Sequence, residues 1–222
     1  MFAPMQAALE RKTLKDYITM GKHIISIISF AAAFFAVQYG MDYYREYSSV
    51  NKANAEIEAI REEVRKNNPD EPEVLAVQEA AIKKAEENIN SKGTAKEKVQ
   101  TAAGTFLGFY LVNFRQRAEY CQSQGVDISP FTNAFKESHQ NEYSIAVKAI
   151  SAVPSDVEKL YKMLKPQLET VIEQDMEFIA SENGVSLPGA CRLISDNAAI
   201  LVPDMHISVM QPAVHSVLVS GT

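Results

Sequence analysis

The chain has 222 residues, 46% of them hydrophobic, with 28 acidic against 22 basic side chains and a net charge of −6. That apolar content excludes a chain disordered throughout, and the length suits one ordinary domain or two small ones. An acidic balance supplies no electrostatic basis for nucleic acid as a partner.

The charge is unevenly placed. Residues 1–41 hold Arg11, Lys12, Lys15 and Lys22 against Glu10 and Asp16, whereas both 42–98 and 99–222 are net acidic. The basic excess therefore precedes one segment, Ile24–Met41, which reads IISIISFAAAFFAVQYGM and holds no charge. Only Ser26, Ser29 and Gln38 in it are clearly polar. A serine hydroxyl bonds back to its own helix, so serine is cheap in lipid. The 18 residues at about 1.5 Å each reach roughly 27 Å, close to a hydrocarbon core about 30 Å thick. Tyr17 on one side and Tyr39, Tyr43 and Tyr44 on the other suit the headgroup level.

The expectation is a transmembrane helix over 17–44, contacting lipid through 24–41, with 1–16 as a cytoplasmic segment. Basic residues favour the cytoplasmic side. The rest of the chain then lies beyond the inner membrane, in the periplasm of a Gram-negative cell. Two rival readings stand beside this one. Ala31-Ala32-Ala33 offers a signal-peptidase-like site, although the apolar run continues beyond it. An alanine-rich apolar helix also suits a soluble core.

Beyond Asp42, Val50, Ala53, Ile57, Ile60 and Val64 alternate at spacings of three and four, a heptad pattern with charges between. Pro69 and Pro72 stop this helix. A second polar helix runs from about Glu73 to Asn90, with Leu75, Ile82, Ala85 and Ile89 on one face, and ends at Ser91-Lys92-Gly93. Residues 45–93 are thus a polar, coiled-coil-like hairpin, either projecting from the membrane or packed on the following domain.

The remainder, 94–222, reads as a helical bundle, which makes the fold class all-α. Thr94 and Glu97 form a capping box for a helix ending near Gln124, with Gly125 as its left-handed cap. Its middle, Ala102–Val112, is apolar on nearly every face but too short to span a bilayer, so it reads as a buried central helix. Gly104 and Gly108 are candidates for a close helix–helix contact. Ser129-Pro130 starts the next helix, with Ser129 as cap, and Val153-Pro154 ends it. Ser155 and Glu158 suggest a second capping box, and Val157 to Ile179 keep helical period, with Pro166 expected to kink or split the helix. Ser186-Leu187-Pro188 and Gln211-Pro212 mark two further starts. The β-branched residues between Ile207 and Val219 leave a strand open as an alternative.

Chemical motifs are few. Cys121 and Cys191, the only two cysteines, fall in different helices and are either a disulfide, as an oxidising compartment permits, or separate buried thiols. His139 and Glu142 share a helical spacing that suits a metal but lack a second copy. Cys121 with His139 is a nucleophile–base candidate. Arg115 and Arg117, near Tyr110, Phe114 and Tyr120, are candidates for a partner or anion contact, or for pairing with nearby acids. No catalytic, cofactor-binding or metal motif stands out, and no cofactor is expected. The functional expectation is a structural or adaptor subunit of a membrane complex, with other subunits as its partners. The alternatives are a membrane-tethered enzyme with a dispersed site and a ligand-binding or chaperone-like helical domain.

Overall fold

The computed structural model describes residues 59–67 and 73–221. The expectations for 1–16 and 17–44, together with the start of the hairpin, lie outside the described residues. Among the described residues the chain is helical with no strand, and no helix is long and apolar enough to cross a membrane.

The helix at 59–67 leads to α1 (Glu73–Ser91). Arg65 reaches Glu73 at the start of α1, with Nε 2.9 Å from Oε2. The described parts of both arms pack on the bundle. Helix α1 lies along its neighbours because Ala76, Ala81, Ala85 and Ile89 make a small apolar face that lets another helix approach closely. Arg61 donates to Gln174 of the long sixth helix at 2.7 Å, which ties the first arm down as well.

Helix α2 (Ala95–Leu111) begins at the expected capping box. Glu97 N–H donates to Thr94 Oγ1, and Thr94 N–H donates to the Glu97 carboxylate. Every residue from Ala102 to Leu111 is buried, Gly104 and Gly108 included. The helix runs through the middle of the bundle, packed against α1, α5 (Gln140–Ala149) and α10 (Pro212–Val219). All-round apolarity is what such a position demands.

At Val112–Gln116 the same helix widens into a π-turn before resuming as α3 (Arg117–Ser123). No local pattern in the sequence marks this turn. The inserted residue rotates the downstream turns by roughly 100° relative to a regular helix. Asn113, Gln116 and Arg117 thereby face inward and are buried. Asn113 Nδ2 donates to the Phe109 carbonyl at 3.0 Å within the loosened turn. Gly125, at φ +73°, closes α3 as the left-handed residue expected there.

The helix expected from Ser129 to Val153 is two helices, α4 (Ser129–Ser138) and α5, broken at His139. Ser129 is not the capping acceptor; its N–H and hydroxyl both donate to Asp127. Helix α6 (Pro154–Asn183) starts two residues earlier than the expected cap at Ser155 implies, and Asp156, not Glu158, accepts the Val153 N–H at 3.1 Å. Pro166 does not split it. The 30-residue helix continues because Tyr161, Leu164, Leu168, Val171 and Ile172 are buried on both sides of the proline. That packing outweighs one lost backbone hydrogen bond. Helices α7 (Leu187–Asp196), α8 (Ala198–Asp204) and α9 (Ile207–Met210) complete the bundle with α10. Ser186 Oγ accepts from Gly189 N–H, as a cap should. The stretch open to a strand reading, from Ile207 to Val219, forms two short helices on either side of Gln211.

Candidate functional site

Of the four histidines in the chain, three meet where the α4–α5 bend receives the C-terminal helices. His139 is fully buried at the bend. Its Nδ1 lies 2.9 Å from the Phe135 carbonyl, and its Nε2 accepts from Ile207 N–H at 3.2 Å. A ring that accepts at Nε2 and donates from Nδ1 is the neutral tautomer. Burial pushes its pKa down to about 4, against a smaller opposing effect of the Phe135 carbonyl. The same carbonyl also keeps its helical bond from His139 N–H, at 3.2 Å.

His206 stacks on His139 with ring centroids 4.8 Å apart. Its Nε2 faces the Ser138 carbonyl at 3.2 Å, and its Nδ1 caps α9 by accepting from Ser208 N–H. His215 of α10 places Nε2 3.3 Å from Glu142 Oε1, and His206 Nε2 lies 3.8 Å from the same oxygen. Glu142 is buried, and its second oxygen, Oε2, meets no hydrogen-bond donor. The seam therefore joins α4, α5, α9 and α10 through polar contacts, and it holds one carboxylate oxygen in reserve.

His139 and Glu142, whose helical spacing suits a metal, do not converge on one position. Both His139 nitrogens are engaged by backbone, and Glu142 turns instead to His215 and His206. Among the described residues no three His, Cys, Asp or Glu side chains are disposed to hold a metal ion. The Cys121–His139 nucleophile pair is not formed either. Cys121 is bonded to Cys191, and both are fully buried in a bridge that pins α3 to α7.

The two arginines part company at the π-turn. Arg115 is partly open, its guanidinium bound to Glu158 and 3.5 Å from Glu119, with its Cζ 4.1 Å above the Tyr161 ring. Lys165 extends this network to Glu119 at 2.5 Å. Arg117 is sealed inside, bonded to Asp175 of α6, to Asn113 Oδ1 at 3.1 Å and to Met176 Sδ at 3.3 Å. It is sealed from the surface, and of its two readings the pairing with an acid is the one formed. Burial pushes the Asp175 carboxyl up to about 6 against the pull of Arg117. Arg117 Nε and Asp175 Oδ1 are both buried without partners.

Sequence reading found His139, Glu142 and both arginines but missed Asp175, His206 and His215 as their neighbours. Those contacts join positions 58 to 73 residues apart, and no local periodicity signals them.

No protein-family model, curated protein or solved structure matches this chain.

Proposed function

We propose that the chain is a structural or adaptor subunit of a cell-envelope complex (a secretion, pilus or similar machine), anchored in the inner membrane and acting through helix-mediated protein contacts. The observation that carries this is the uncharged Ile24–Met41 preceded by Arg11, Lys12, Lys15 and Lys22. In this reading the N-terminus is cytoplasmic and the bundle is periplasmic. The Cys121–Cys191 bond supports it, since a disulfide buried in the core fits an oxidising compartment.

Paired reporter fusions after Thr222 test the topology. A periplasm-active phosphatase should work, and a cytoplasm-active galactosidase should not. Carbonate extraction should leave the uncleaved chain in the membrane fraction, and crosslinking in cells should recover a reproducible set of subunits. An uncleaved chain in the aqueous fraction, or a galactosidase-positive fusion, removes the reading.

A further inference from the structure

Both ends of the bundle's described core meet on one face. The start of α2 (Ala95, Val99), the outer side of α5 (Ile145, Ala149) and the final turn at Ser220–Gly221 enclose a groove of about 550 Å³. Its floor is apolar and half-buried at Val99, Ile145 and Ala149. The last turn is drawn in tightly. A Cβ at Gly221 would stand 2.7 Å from Val99 Cγ1, so only glycine lets the backbone close this wall.

The groove's charge contrasts with the molecule's. The chain is acidic at −6, yet among the described residues the lining holds Lys96 and Lys148 and no acidic side chain. The acids nearest in sequence are turned elsewhere. Glu97 folds back onto Thr94, its carboxylate 3.0 Å from the Thr94 N–H. Glu142 is buried against His215. Both lysines are exposed, and among the described residues neither forms an ion pair. An apolar floor between two ammonium groups without an ion pair among the described residues, on a chain of net negative charge, is complementary to an acidic amphipathic segment.

We infer that this groove docks an acidic amphipathic helix or strand of a partner protein, with apolar side chains on Val99, Ile145 and Ala149 and carboxylates on Lys96 and Lys148. That the occupant is a fellow subunit rests on the adaptor reading. The groove's preference for acidic over basic peptide does not.

The test uses the full chain in detergent micelles and two fluorescein-labelled amphipathic peptides, one of leucine and glutamate, the other of leucine and lysine. The leucine–glutamate peptide should raise fluorescence anisotropy and lose affinity as salt increases. Lys96→Glu with Lys148→Glu should weaken it about tenfold or more, since like charges then face each other. Ile145→Ser should weaken it with little change in salt dependence. Unchanged melting of each variant shows that folding is intact. Equal binding of the leucine–lysine peptide, indifference to the charge reversal, or preference for vesicles of anionic phospholipid over the acidic peptide would overturn the inference. None of those outcomes touches the anchor, which fractionation decides separately.

Discussion

Arg117 Nη2 lies 2.6 Å from Asp175 Oδ2, with the two side chains 2% and 0% exposed. Arg115, near it in the chain, instead meets Glu158 in partial contact with water, 35% and 38% exposed. The π-turn between Leu111 and Arg117 makes this difference. It carries one arginine into the core and leaves its near neighbour at the rim.

Breaking the buried pair should be severe. Arg117→Ala leaves a buried carboxylate uncompensated, and a loss of about 3–5 kcal/mol is expected in urea unfolding of the detergent-solubilised chain. The double change Arg117→Met with Asp175→Leu should recover most of it, because no charge is then left alone. Arg115→Ala should produce a much smaller change, since its pair is screened by solvent. Comparable losses at the two arginines would show that burial is not what separates them.

Acid should act on the core through two groups of opposite sense. His139 stays neutral in the fold down to about pH 4, while in the unfolded chain it accepts a proton near 6.5. Its contribution is therefore complete above about 6.5 and is lost as pH falls toward 4, by about 3 kcal/mol. Asp175 runs the other way. Its folded pKa of about 6 lies above the unfolded 3.8, so its contribution is present below 3.8 and lost as pH rises toward 6. The two partly cancel in the native chain. Asp175→Asn should therefore show a steeper loss of stability between pH 6.5 and 4 than the native protein, as read from unfolding midpoints across that range. Parallel profiles would contradict this.

The cystine closes a separation of 70 residues. Cys121→Ala with Cys191→Ala should lower stability by about 4 kcal/mol in the chain-entropy description. Because both sulfurs are fully buried, mild reductant should leave the folded protein unaltered and should act only once denaturant opens the core. Thiol labelling with mass spectrometry reads this directly. Rapid labelling of the reductant-treated protein without denaturant would show that the bridge is accessible.

Pro166 is exposed on the outer side of α6. Replacing it with alanine restores the missing N–H and removes the ring's clash with the preceding turn. Pro166→Ala should therefore stabilise the chain by about 1–3 kcal/mol, measured as a higher melting temperature. A decrease would mean that the proline bends α6 into a shape that the core requires.

Much of the helical framework was legible in the residues. Thr94 with Glu97, Gly125, Ser186 and Pro212 mark helix ends through groups within a few positions of one another. The unbroken apolarity of Ala102–Leu111 was enough to place α2 inside. The break at His139 was not legible. No proline or glycine marks it, and the ring at the break is held by Ile207 N–H, 68 residues away. Nor was the persistence of α6 through Pro166, because the outcome depended on what packs against Leu164 and Leu168.

By itself, the sequence determined that the chain is helical, where the capped helices at Thr94 and Ser186 begin, and that one central helix had to be dry on every side. It also supplied the uncharged stretch behind the proposed anchor. Tertiary structure alone decided that Arg117 meets Asp175, that Cys121 meets Cys191, that histidine and glutamate contacts knit the C-terminal helices to α4 and α5, and that Lys96 and Lys148 flank one groove. Caps and periodicity are written by neighbours within one or two turns. Pairings across dozens of residues arise from how whole helices share a limited core, which no single segment encodes.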